Sequence, residues 1–156
     1  MMPLTIIEPL QVLVIGAGRA GFLKARTAMG HQQKVTLLAP KFSPEASALG
    51  CQHIKADLYQ CQLDDFSRYQ LIYFAQPWPN SATEQAWLTS LIKQLKNSGK
   101  WVCVSCKPEL GNVVNPCSRK VGNYLIAVSG SGNTPAITRD ITEHLAAELS
   151  AFTQSN

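Results

Sequence analysis

The chain carries little charge. Only 15% of its 156 residues are Asp, Glu, Lys or Arg, and the net charge is +4. It has no block of Lys and Arg and no basic stripe at helical spacing, so a nucleic-acid partner is not expected. No apolar run approaches the roughly 18 residues of a membrane span, so a membrane is not expected as a partner either. The opening residues Met1 to Glu8 have no basic n-region and no cleavage site, and a signal peptide is therefore not expected. A disulfide framework is missing too. Five cysteines at irregular spacing suit a reducing compartment, and the expected location is the cytoplasm. Cys103 and Cys106 have C-x-x-C spacing, but no second pair completes a zinc site. Residues three apart on a strand also point to opposite faces, so no metal is expected. No Ser-His-Asp set is legible. His31 falls in a turn, His53 in a short strand and His144 on the last helix.

What is present is a hydrophobic content of 46%, enough for one domain, or one domain with a short appendage. The most informative stretch is Gly16-Ala17-Gly18-Arg19-Ala20-Gly21, directly after the apolar run Val12-Leu13-Val14-Ile15. A strand turning into a helix through G-x-G-x-x-G is the dinucleotide fingerprint. Gly16 permits the tight turn, Gly18 lets a pyrophosphate approach the backbone, and Gly21 lets helix and strand pack closely. The helix that follows directs free N–H groups at the phosphates.

The rest of the chain continues that rhythm. Strands are expected at about Gln11–Ile15, Lys34–Leu38, Gln52–Lys55, Leu71–Ala75 and Trp101–Val104, the second stopping at Ala39-Pro40. Helices are expected at about Arg19–Met29 and from Ser81 or Thr83 to Asn97, the latter with apolar residues at Trp87, Leu88, Leu91, Ile92 and Leu95. Alternating strands and helices imply an α/β fold: a Rossmann-type parallel sheet with helices on both faces. After Pro108 the pattern changes to a loop, a strand at Tyr124–Val128 preceded by the turn Gly122-Asn123, and a final helix to about Leu149 with Thr134 as N-cap and Pro135 inside it. Residues 1–111 are thus read as the nucleotide-binding domain and 112–156 as a C-terminal segment.

Ligands of open α/β sheets bind at the carboxyl ends of the strands. Gly16 to Gly21, Ala39-Pro40, Ala75-Gln76-Pro77 and Ser105-Cys106-Lys107 should therefore gather. Trp78, between two prolines at a strand end, is a candidate pocket residue; Trp87 reads as core. The glycines and hydroxyls of Ser129-Gly130-Ser131-Gly132-Asn133-Thr134 form a second candidate anion site before a helix, with Arg139 one turn inside. The acid that holds the ribose of NAD, about 20 residues past the glycines, is absent: Ala39-Pro40-Lys41 stands there. Lys41 would tolerate a 2′-phosphate, so these residues leave NAD and NADP both open.

The motifs together resemble those of the precorrin-2 dehydrogenase family, to which the N-terminal domain of siroheme synthase belongs. The resemblance runs through Met2-Pro3-Leu4, Val12 to Gly18, Leu23-Lys24-Ala25-Arg26 and the strand ending in Ala39-Pro40. It continues through Asn115-Pro116, Arg119 to Asn123, and Ile126-Ala127-Val128-Ser129 followed by Gly132-Asn133-Thr134-Pro135-Ala136, with Arg139 matching the family's arginine. It covers nearly the whole chain.

The resemblance implies NAD-dependent oxidation of precorrin-2, an anionic tetrapyrrole, to sirohydrochlorin in siroheme biosynthesis. Some members also insert iron. It implies a homodimer whose interface is the segment after the sheet, about Val113 to Leu149. Gly16, Ala17, Gly18, Arg19, Ala20, Gly21, Ala39, Pro40, Ala75 and Gln76 would hold the cofactor. Asn115, Arg119, Ser129, Ser131, Gly132, Asn133, Thr134 and Arg139 would meet the substrate.

Three departures accompany it. The family's aspartate at the end of strand five, thought to serve both dehydrogenation and chelation, aligns with Cys106. The acids expected after strand four are replaced by Gln76-Pro77-Trp78. The family's C-terminal helical region is not found before Asn156. Dehydrogenation is the implied activity, and iron insertion is left open by the missing aspartate. The same departures define the alternative of a catalytically degenerate homologue that binds nucleotide or tetrapyrrole as carrier, sensor or partner subunit. A third reading is an unrelated Rossmann reductase or regulatory nucleotide-binding domain.

Overall fold

The computed structural model describes residues 2, 4–130 and 134–154. Strands β1 (Gln11–Ala17), β2 (Lys34–Phe42), β3 (Gln52–Lys55), β4 (Leu71–Phe74) and β5 (Trp101–Val104) form a five-stranded sheet in the order β3-β2-β1-β4-β5. All four pairings are parallel. The chain runs outward from β1 to β3 on one side and then crosses back to β4 and β5 on the other. The strand order therefore reverses beside β1, where such sheets open a crevice.

Parallel strands buried on both faces need unbroken apolar runs, and Val12-Leu13-Val14-Ile15 and Leu71-Ile72-Tyr73-Phe74 supply them. Leu13 and Ile15 face one layer with Leu88, Ile92 and Leu95 of α3 (Ala82–Asn97), and with Leu58, Phe66 and Tyr69 from the β3–β4 connection. Val12 and Val14 face the other, with Ala25 and Ala28 of α1 (Arg19–Gly30) and Ala46 of the short α2 (Pro44–Ser47). The helix-covered parallel sheet is as expected. The β3–β4 connection departs from an ordinary crossover: it carries two 3₁₀ turns, Leu58–Gln60 and Leu63–Phe66. Asp57 caps the first, and Gln62 with Asp65 form a reciprocal cap on the second.

Two expectations are corrected. Strand β2 does not stop at Ala39-Pro40 but runs on to Phe42. The register against β1 slips there: Ile15 pairs with Leu38, whereas Ala17 pairs with Phe42. The slip lets β2 carry Pro40, which has no N–H to donate, past the ladder. The second correction is β6 (Cys117–Val121), an unforeseen strand that pairs antiparallel with β7 (Tyr124–Val128) around the turn Gly122-Asn123.

At β5 the sheet has a free edge. The Asn112 side chain lies along it, its Oδ1 accepting the Val102 N–H at 2.7 Å and its Nδ2 donating to the Lys100 carbonyl at 2.9 Å. The Asn112 N–H donates to the Val102 carbonyl at 2.9 Å. Lys96, at the end of α3, ties down the same loop by donating to the carbonyls of Leu110 (2.9 Å) and Gly111 (3.2 Å).

The chain divides into two compact units, Met1–Val114 and Asn115–Asn156. The second consists of the β6–β7 hairpin with α4 (Pro135–Gln154) packed on it. Thr142 of α4 is fully buried, its hydroxyl donating to the Thr138 carbonyl at 2.6 Å. Arg119 of β6 pairs with Glu143 of α4, its Nε donating at 2.9 Å.

Candidate functional site

A cleft of about 800 Å³ opens at the carboxyl ends of the strands of the first unit. Its floor is the β1–α1 turn, residues 15–20. One side is formed by residues 38–41 of β2 and residues 57–59 after β3, the other by residues 75–77 after β4 with Ser105 and Cys106 after β5. The volume is within the range of small-molecule and cofactor sites.

Two of the three glycines do the structural work that the spacing predicts. Gly16 has φ +99°, and a Cβ there would lie 2.9 Å from the Gln76 backbone nitrogen; the turn needs glycine for conformation and for room. A Cβ on Gly21 would sit 1.8 Å from the Gly16 carbonyl oxygen, so helix and strand touch through it. Gly21 lies behind the turn and is not part of the cleft wall. At Gly18 a Cβ would meet nothing within 4 Å. Gly18 is also the N-cap of α1, and no side chain caps that end. The first N–H groups of α1 are therefore available to a phosphate over an open approach. The turn, the open side at Gly18 and the uncapped helix fit a dinucleotide's pyrophosphate.

Of the remaining cofactor candidates, Ala17, Arg19, Ala20, Ala39, Pro40, Ala75 and Gln76 all line the cleft. Cys106 lies on the same wall, exposed, its thiol directed to the Gln76 carbonyl at 3.7 Å. Cys103 is buried on the α1 side of the sheet, so the two cysteines do not converge, and among the described residues no group of metal-ligating side chains is present. Trp78 packs against the α3-side core with Lys107 over its ring at 5.4 Å, and is not on the cleft wall. Trp87 is half-buried against the same core and lies 4.9 Å from the Tyr59 ring.

Asp57, Leu58 and Tyr59 were not among the sequence candidates. They follow β3, whose end lies beside that of β2: Ala39 pairs with Lys55, and the Ala56 N–H donates to the Ala39 carbonyl at 3.3 Å. Applying the carboxyl-end rule to the third strand as well would have found them. Burial pushes the Tyr59 hydroxyl up from its ordinary pKa, with Glu84 and Asp57 adding to the shift.

The substrate candidates belong to the second unit. Asn115 and Ser129 are exposed at the two ends of the hairpin sequence, Thr134 precedes α4, and Arg139 projects from its second turn beside Asp140. Arg119 is held by Glu143 and also donates to the Ser118 carbonyl at 2.7 Å. Ser131, Gly132 and Asn133 lie outside the described residues.

A family model of NAD(P)-binding domains, NAD_binding_7, matches residues 5–117. The chain belongs to this family. The match spans the whole sheet and the cleft of the NAD(P)-binding fold. Two relatives extend further. The chain is 28% identical over 148 residues to a precorrin-2 dehydrogenase of Bacillus subtilis (strain 168), covering 93% of this chain and 86% of the relative. It also superposes on the solved structure of SirC, a precorrin-2 dehydrogenase, with a TM-score of 0.74 at 20% identity, over 99% of this chain and 76% of that one. The latter establishes the shared fold. No helix among the described residues is long and apolar enough to cross a membrane.

Proposed function

We propose that this protein is an NAD-dependent precorrin-2 dehydrogenase, oxidising precorrin-2 to sirohydrochlorin. The observation that carries the reading is the likeness to the Bacillus subtilis enzyme, which runs through both units instead of stopping at the nucleotide-binding one. NAD supplies a two-electron acceptor when bound: precorrin-2 gives up a hydride to it and a proton to solvent. The chain's own work is to bind and orient. The α1 N-terminus and Gly18 receive the pyrophosphate, Ala39 and Pro40 border the adenosine, and Ala75, Gln76 and Cys106 border the reacting end. The substrate is rich in carboxylates, which suits Arg139, Thr134, Ser129 and the 131–133 segment.

The protein acts as a homodimer in this reading. In its support, α4 leaves Ile137, Ile141 and Leu145 exposed at four-residue intervals, and β7 leaves Tyr124 and Leu125 exposed. Its place is the cytoplasm, where the five free thiols stay reduced.

The test is an anaerobic assay with freshly generated precorrin-2 and NAD, following sirohydrochlorin and NADH by absorbance. The expected result is stoichiometric, enzyme-dependent formation of both. Tetrapyrrole binding without turnover would overturn the dehydrogenase and favour the degenerate carrier or sensor, which Cys106 at the family's aspartate position would then explain. A Cys106→Ala variant with full turnover would remove the thiol from the mechanism.

A further inference from the structure

Among the described residues on the cleft wall, Asp57 is the only carboxylate; the cations are Arg19 and Lys41. In nucleotide-binding folds of this order, the group that distinguishes the two dinucleotides stands at the carboxyl end of the second strand, where an acid accepts from the ribose hydroxyls. Here that strand end is occupied by Ala39-Pro40-Lys41 and runs on through the register slip. The neighbouring strand is followed by an acid on the same cleft, Asp57. The Ala39–Lys55 pairing and the bond from the Ala56 N–H to the Ala39 carbonyl bring the chain after β3 alongside that point. Asp57 is two residues beyond the strand.

Its carboxylate is also held. Oδ1 accepts the Tyr59 N–H at 3.1 Å as the cap of the 3₁₀ turn Leu58–Gln60, and a carboxylate has acceptor capacity beyond one such bond. Arg19, at the start of α1, suits the diphosphate that both dinucleotides share and does not discriminate between them, whereas Lys41 at the end of β2 tolerates a 2′-phosphate and does not exclude NADP. A carboxylate does: it accepts hydrogen bonds from a free ribose diol and repels a 2′-phosphate at the same place.

We propose that Asp57 is the residue that selects NAD over NADP, standing in from β3 for the acid that β2 does not provide. The inference rests on the reading of the cleft as a dinucleotide site. The experiment is calorimetric titration of the full chain, without tetrapyrrole, with NAD and separately with NADP. Asp57→Asn removes the charge but keeps an oxygen for the Tyr59 cap; Asp57→Ser, also a good cap residue, serves if the first variant folds poorly. Glu45→Gln on α2 removes a carboxylate that is not on the cleft wall.

The wild type should bind NAD more tightly than NADP. Asp57→Asn should narrow that ratio by about tenfold or more, the scale of one charged hydrogen bond, with Glu45→Gln leaving it unchanged. A wild type that prefers NADP, or a ratio unaltered in the Asp57 variants, or one altered equally by Glu45→Gln, overturns the inference while leaving the dinucleotide site standing. Binding of neither dinucleotide overturns both.

Discussion

At the scale of single residues, the three glycines of the β1–α1 turn are not equivalent. Gly21→Ala forces a methyl into the Gly16 carbonyl. Because the obstacle is backbone, relief means parting α1 from β1, at a cost of about 1–3 kcal/mol or more. Urea unfolding should show a lowered midpoint for Gly21→Ala. Gly18→Ala meets open space, so its unfolding free energy should stay within about 1 kcal/mol of wild type, the propensity range. Its NAD affinity should nonetheless fall at least about tenfold, because the methyl occupies the pyrophosphate's approach. If Gly18→Ala bound NAD normally, the phosphate would not lie where the turn implies. Gly16 and Gly21 were legible in the sequence because their geometry admits no other residue. Asp57 was not: nothing in Lys55-Ala56-Asp57 marks it until β3 is seen beside β2.

At the scale of elements, legibility followed hydrophobic pattern. The buried parallel strands and α3 could be read from their apolar runs, and of the two expected starts of α3, Ser81 and Thr83, it is Ser81 that caps the helix. Strand β6 could not, because Cys-Ser-Arg-Lys-Val has neither an apolar run nor alternation; its partner β7 fixes it. The end of β2 was misread because a proline at a strand end ordinarily stops pairing, and only the register slip lets it pass.

The contact between β6 and α4 responds to acid in a defined direction. The hydrogen bond from Arg119 holds the Glu143 carboxyl below its ordinary range. A carboxyl lowered in the fold contributes stability above its unfolded value, about pH 4.3, and loses it as pH falls through the lower, folded value. The melting temperature of wild type should therefore drop more steeply than that of Glu143→Gln below about pH 4.3. The pair is exposed, so about 1 M salt should nearly abolish the difference. Parallel melting curves for the two proteins would mean that the ion pair contributes nothing in solution.

At the scale of the whole molecule, the proposed dimer follows from apolar side chains that the described structure leaves uncovered on α4 and β7. Leu145 is 43% exposed, so Leu145→Glu costs the monomer little. Buried at an interface, the same charge would be several kcal/mol unfavourable. Sedimentation should show wild type as a dimer and Leu145→Glu as a folded monomer. A wild type that sediments as a monomer, or a variant that remains dimeric, would remove α4 from the interface.

Asn112 bears on how copies can meet. An open sheet ends in strands whose unpaired amides invite another chain's backbone. Along β5 the carboxamide and backbone of one residue already occupy Val102 and the Lys100 carbonyl, as a sixth strand would. At the opposite border, β3 is four residues long and reads Gln-His-Ile-Lys, too short and too polar to be an attractive template. Growth into fibrils by sheet extension is thus discouraged at both borders. Losing the carboxamide in Asn112→Ala should show first as turbidity on storage, before any loss of NAD binding.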